Sequence, residues 1–381
     1  MTFDFDTVIP RRGTGCIKYD RRPTLDPFWV ADMDFASAPV ILDALHQRVS
    51  HGVFGYPQPH ESLNEAITDY LRDHRSAEIS ADHIIHLGGL VPALSLATRA
   101  FCAPGDAVMT CTPVYPPFLG VHNDAKAELI TADHLLTDSG WTFDWETMEQ
   151  SVTPATKVFL LCNPQNPLGQ VFTPAQILQL AEFCQRHDLI LVSDEIHCDL
   201  VLDENATHFS ALNLPESFAN RVITLLSPSK TWNIAGLGFA YAVVQNDALR
   251  RKFQAAFGHT LTEINALSHY AAEAAYRHGQ PWRRELLAYL RQNRDTLVDF
   301  INQQCPGLSV RKNQATYLAW IDASAIGVNN PALHFEQKAD LFLSDGNYFG
   351  WPDHFRFNFA CPQSRMMEGL EKIAAALPAS A

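Results

Sequence analysis

Lys230 closes the segment Ser227-Pro-Ser-Lys230, directly after the apolar run Arg221-Val-Ile-Thr-Leu-Leu226. That places an amine on a sharp turn at the end of a buried strand, where it can serve as a nucleophile. Two further strand ends carry matching polar groups. Asn163-Pro-Gln-Asn166-Pro-Leu-Gly169 follows one apolar run and Ser193-Asp194-Glu-Ile-His197 follows the next, so an amide, a carboxylate and an amine can converge on one aromatic ligand.

A lysine amine does covalent work on an electrophilic aldehyde. Pyridoxal phosphate supplies that aldehyde together with a pyridine ring able to hold carbanion electrons. The ring is a strong electron sink only while its nitrogen is protonated. A carboxylate bonded to that nitrogen enforces protonation by charge pairing, and Asp194 is the candidate. Asn166 can donate its amide N–H to the ring's phenolate oxygen, and Tyr115, in Thr112-Pro-Val-Tyr115-Pro-Pro-Phe118, can stack on the ring face. Each residue alone has an ordinary reading as a turn former, core aromatic or surface lysine; their combination in this order favours the cofactor.

Short apolar runs place strands near 106–110, 157–162, 189–193, 221–226 and 238–244. Between the second and third of these, apolar Ile177, Leu180, Ala181 and Cys184 recur with helical spacing over 174–187, with Thr173 as N-cap. Strands alternating with helices predict a mostly parallel α/β sheet, in which ligands bind beyond the carboxyl ends of the strands. Farther on, a long helical pattern over 282–304 precedes strand candidates at 308–310, 317–321 and 355–359. This predicts a smaller domain completed by the first fifty residues, because the amphipathic stretch 37–49 has no strand of its own to cross to. The expected division is an N-terminal segment 1–47 joining the small domain, a large domain 48–276 and a small domain 277–381. The Ala-rich tail 374–381 reads as a fraying terminus.

Composition excludes other classes. The 381 residues are 47% apolar and 18% charged, enough for a sizeable core. A net charge of -14 argues against nucleic acid as a partner. The start, Met1 to Pro10, holds no apolar signal region, and no stretch approaches the roughly 20 apolar residues of a membrane span. Eight dispersed cysteines without a C-x-x-C pair fit reduced thiols in a cytoplasmic protein. His83 and His86 lie three apart without a third ligand, so no metal site is expected.

Six motifs span nearly the whole chain: Trp29-Val-Ala-Asp32-Met-Asp34-Phe35, Phe54-Gly-Tyr56-Pro, Asn163 to Gly169, Ser193-Asp194-Glu-Ile-His197, Ser227-Pro-Ser-Lys230-Thr-Trp-Asn233 and Arg356-Phe-Asn358-Phe-Ala-Cys-Pro362. With them the chain resembles the fold-type I pyridoxal-phosphate enzymes of the class I/II aminotransferase superfamily. It resembles more narrowly the MalY/PatB-type cystathionine β-lyases. The resemblance implies a large domain with a mostly parallel seven-stranded sheet and a smaller α/β domain. It implies that Lys230 carries the cofactor and removes the Cα proton, that Ser227 and the main chain at Gly89 and Leu90 hold the phosphate, and that Arg356, with Asn166, takes the substrate carboxylate. His197 would face the phenolate or serve as a buried structural histidine. Tyr56 would reach the cofactor of a neighbouring subunit, making a homodimer with shared active sites. The implied reaction cleaves L-cystathionine or related cysteine S-conjugates to a thiol such as homocysteine, pyruvate and ammonia. Two alternatives stand beside it: an aminotransferase of an L-amino acid, and a non-catalytic binding protein on the same fold. Leu90 lacks the hydroxyl that many relatives carry nearby, and Gly238 stands where aminotransferases place a phosphate-binding arginine.

Overall fold

The computed structural model describes residues 2–259 and 263–378. An extended pair near the N-terminus, β1 (Asp26–Pro27), precedes the strands of the main sheet. These are β2 (Ile84–Leu87), β3 (Ala107–Thr112), β4 (Glu128–Thr137), β5 (Gly140–Phe143), β6 (Thr156–Cys162), β7 (Ile190–Asp194), β8 (Val222–Leu226) and β9 (Ala240–Val243). Their order is β2-β9-β8-β7-β6-β3-β4-β5. The pairs β8/β7, β7/β6, β6/β3 and β3/β4 are parallel. Only β9 and β5 run against the rest.

The α/β expectation therefore holds, with eight strands rather than seven. The extra one is β5, which turns back on β4 at Gly140 as a hairpin. Neither β4 nor β5 reads as a buried strand in the sequence, because most of their side chains stay partly exposed.

Inner strands are buried along nearly their whole length and mostly apolar because both faces are covered. Alternate residues go to opposite sides: Val108, Leu160, Val192 and Ile223 pack with the helix Leu90–Phe101. Met109, Phe159, Leu161 and Leu191 pack with the helix Pro174–Arg186. That second helix starts with a full capping box, Thr173 and Gln176 satisfying each other's backbone N–H groups, a device worth roughly 1 kcal/mol.

A second sheet contains β10 (Ser309–Val310), β11 (Leu318–Asp322), β13 (Ser344–Asp345) and β14 (His354–Asn358), in antiparallel order β10-β11-β14-β13. The short β12 (Leu341–Phe342) pairs instead with β1, tying the N-terminal segment to this region. The helix Pro39–Ser50 packs on the helix Ala266–His278. The long helix Gln280–Gln304 lies against Gln363–Ala375. Of the tail read as fraying, Ala374 and Ala375 end that last helix, while 379–381 fall outside the described residues. All eight cysteines are unpaired. Among the described residues no helix is long and apolar enough to cross a membrane.

Candidate active site

Strands β2, β3, β6, β7 and β8 run in one sense, and the loops leaving their carboxyl ends open on a cavity of about 860 Å³. Gly89 and Leu90 follow β2, Tyr115 follows β3, Asn166 follows β6, Asp194 ends β7, and Lys230 follows β8. All six line the cavity, joined by His197 and by Arg356 from β14.

Lys230 is half-buried and Asp194 buried, and desolvation moves their pKa values toward each other. The lysine is pushed down to about 8 by desolvation. Desolvation likewise raises the aspartate to about 7. Lys230 Nζ donates to Ala31 O, at 2.7 Å, and Asp194 Oδ1 accepts from Ile196 N–H at 3.1 Å. Among the described residues no cation pairs directly with Asp194.

Arg356 fixes the orientation of Asn166. A guanidinium has only donors, so its Nη1 contact of 2.9 Å must be made to Asn166 Oδ1, leaving the amide Nδ2 free to donate. Arg356 Nη2 also bonds Trp29 O at 2.8 Å and Ser344 Oγ at 3.2 Å, and the guanidinium lies over the Phe349 ring. Among the described residues its Nε has no partner, and burial lowers its pKa from 12.5 to about 10. His197 is held neutral: burial, then the charges of Lys230 and Arg356, drive it down to about 3. Its Nδ1 is buried without a partner among the described residues. Tyr115 is partly buried in the cavity wall, its phenol pushed up by burial.

Two expected residues lie elsewhere. Ser227 does not reach the cavity: its Oγ sits 2.6 Å from Phe239 O and 2.8 Å from Ser229 Oγ, and accepts from Ser229 N–H. The hydroxyl is committed to closing the turn that presents Lys230, and Ser229 is the serine that lines the cavity. Tyr56 is 96% exposed on the segment between the helices Pro39–Ser50 and Glu61–Arg75 and does not line the cavity of its own chain.

The N-terminal motif supplies a wall that strand reading could not place. Asn233 Nδ2 donates to Met33 O and Phe35 O, while its Oδ1 accepts from Met33 N–H. Asn358 Nδ2 donates to Val30 O and Asp32 O. Residues 29–35 are thus clamped between the Lys230 turn and β14, with Ala31 O facing the amine. Asp34 and Asp32 are neutralised from behind by Arg11 and the buried Lys18. Asn233, Asn358 and Ala31 stood within motifs already visible in the sequence, although nothing there marked the Ala31 carbonyl; Ser344 lay outside every motif.

Gly169 shows why its motif ends on glycine. Its φ is +65°, and a Cβ there would sit 2.3 Å from Asn313 Cβ. Gly169 O also accepts from the N–H groups of Gln314 and Ala315 at 2.9 Å. Gly238 is likewise left-handed, and a side chain would meet Gly88 O at 3.1 Å.

The sequence profile of aminotransferase class I and II matches residues 29–373. The chain belongs to that family. Cystathionine β-lyase PatB of Bacillus subtilis (strain 168) is 34% identical over 98% of this chain and 100% of its own, which bears out the narrower resemblance. The crystal structure of OvoB superposes with a TM-score of 0.96 at 39% identity, covering 100% of both chains. Cystalysin from Treponema denticola, whose crystal structure contains pyridoxal 5'-phosphate, gives a TM-score of 0.94 at 31% identity over 99% of each chain.

Proposed function

We propose that this chain is a pyridoxal-phosphate-dependent carbon–sulfur β-lyase that cleaves L-cystathionine or related cysteine S-conjugates to a thiol, pyruvate and ammonia. The observation that carries the reading is the convergence of Lys230, Asp194, Asn166 and Arg356 on one cavity at the carboxyl ends of parallel strands. Full-length kinship with a cystathionine β-lyase supports the choice of reaction within the family.

The residues present fit the cofactor. Asp194 is a buried carboxylate without a cationic partner, which a protonated pyridine nitrogen would supply. Asn166 turns its free amide donor away from Arg356, available to a phenolate oxygen. The N–H groups of Leu90 and Val91 at the start of the helix Leu90–Phe101, with the Ser229 hydroxyl, suit a phosphate at the helix N-terminus. When bound, pyridoxal phosphate supplies an aldehyde for Lys230 and an electron sink for the substrate's Cα electrons.

The chain's own groups then divide the work. Arg356 receives the substrate α-carboxylate with N–H groups that Asn166 and Trp29 do not occupy. Lys230, whose pKa desolvation lowers from 10.5 to about 8 so that its neutral form is within easy reach near neutral pH, takes the Cα proton on Nζ. Ala31 O holds that amine in place. Neutral His197 closes the wall without adding charge beside the sink. The exposed run Val53, Phe54 and Tyr56 supports a partner-facing segment, and a homodimer in the cytoplasm completes the reading.

The test is turnover of L-cystathionine without any 2-oxo acid. A lyase releases pyruvate, ammonia and a free thiol over many turnovers. A transaminase stops after one per site, since the amino group stays with the enzyme until an oxo acid removes it. Stoichiometric product across cystathionine, cystine and S-alkyl cysteines, restored by an oxo acid, would overturn the proposal.

A further inference from the structure

Resting on the lyase reading above, we infer that Arg21 and Glu336 select the leaving half of the substrate by binding its distal carboxylate and ammonium groups.

The cavity has two ends. Its floor holds Lys230, Asp194 and Arg356, and its rim carries Arg21, Arg22 and Glu336. At the rim, the Arg21 guanidinium lies over the Trp29 ring, 5.2 Å from its centroid. Trp29 is fixed at both ends: its Nε1 donates to Lys18 O at 3.0 Å, and its carbonyl accepts from Arg356 Nη2 and Ser344 Oγ, each at 2.8 Å. One residue therefore sets the spacing between the floor guanidinium and the rim guanidinium.

Arg21 is also unspent. Among the described residues its side chain has no hydrogen bond or ion pair, whereas Arg11 and Arg12 are both held by aspartates. Stacking fixes the plane of a guanidinium and leaves its N–H edge free, the geometry that receives a carboxylate bidentately. Beside it, Arg22 meets Glu336 only at 3.8 Å and is mostly exposed, so Glu336 keeps acceptor capacity for an ammonium group.

A fork and a carboxylate at one rim match the two charges of a distal α-amino acid. L-cystathionine and L-cystine carry such a group beyond the sulfur, and S-methyl-L-cysteine does not. Because Arg21 is exposed, the contact is modest and weakens with salt.

The test uses the cofactor-loaded enzyme with Arg21→Ala and Glu336→Gln. We expect Arg21→Ala to lower kcat/KM for L-cystathionine roughly threefold to fivefold, acting through KM, with S-methyl-L-cysteine changed less than about 1.5-fold. Raising ionic strength should reproduce the selective loss in the unsubstituted enzyme. Calorimetric binding of L-cystathionine to loaded Lys230→Ala protein, with and without Arg21→Ala, reads the same contact without turnover. Equal losses for both substrates, or no loss for cystathionine in kinetics and calorimetry, would overturn the inference while leaving the lyase reading intact. Failure of every substrate to give catalytic pyruvate would sink the lyase reading instead, and the calorimetric comparison would still decide the role of Arg21.

Discussion

Asp194 offers a test that depends on neither substrate nor turnover. In the cofactor-free protein its carboxyl sits near 7, against an ordinary 3.8, chiefly because it is desolvated. The folded state thus holds a proton that the unfolded chain gives up. A raised acid contributes its stability fully below the unfolded value and loses it as pH climbs through the folded one. The unfolding free energy of the cofactor-free protein should therefore fall between about pH 4 and pH 7 relative to a variant without the acid. At about 1.36 kcal/mol per pH unit the full separation corresponds to roughly 4 kcal/mol, and relaxation toward an effective dielectric near 20 reduces the expectation to roughly 2–4 kcal/mol.

Asp194→Asn is the right perturbation, because its amide oxygen can still accept the Ile196 N–H bond while the ionisation is removed. Urea unfolding of both cofactor-free proteins from pH 4.5 to 7.5 gives the comparison. The variant should gain steadily on the wild type across that range. Lys230 acts in the opposite sense at higher pH: an amine depressed to about 8 adds stability as pH rises from 8 toward 10.5, so the window stops short of it. With cofactor bound the order should reverse in function, the more stable variant turning over far more slowly. A difference between the two proteins that stays flat with pH would refute the claim that Asp194 waits in the cavity as an uncompensated acid.

Arg356→Lys should raise KM for amino acid substrates by roughly tenfold or more, since a single ammonium cannot meet a carboxylate and also keep the Asn166 and Trp29 bonds; steady-state kinetics would show it. Tyr56→Phe should weaken cofactor retention. Mixed with Lys230→Ala it should recover part of the activity through hybrid dimers, and absence of recovery in demonstrably mixed dimers would confine Tyr56 to its own subunit. Gly169→Ala should destabilise the protein by roughly 2–4 kcal/mol in chemical denaturation, because its Cβ would collide with Asn313 in a left-handed backbone.

Lys230, Asp194 and Asn166 were legible because each ends or closely follows a strand whose largely apolar run announces both its existence and its burial. The direction of the serine hydroxyls was not. Ser227 and Ser229 are two residues apart on one turn, and which of them faces the cavity depends on a bond to Phe239 O that no local pattern encodes. The strand pair β4 and β5 was missed for the complementary reason: partly exposed edge strands lose the continuous apolar signature that made β6, β7 and β8 plain.

The deeper illegibility concerns the segment 29–35. Its aspartates invite a catalytic reading, yet they face Arg11 and Lys18, and what the segment offers the cavity is backbone: Ala31 O for the amine and Trp29 O for Arg356. A carbonyl has no sequence signature, because every residue carries one. Asn233, three residues after Lys230, and Asn358, two after Arg356, each clamp that backbone with a side-chain amide. The turn that presents Lys230 and the strand that presents Arg356 therefore also grip the strip which orients them. On this geometry, loosening either asparagine should displace Lys230 and Arg356 together, although neither amide touches a reacting atom.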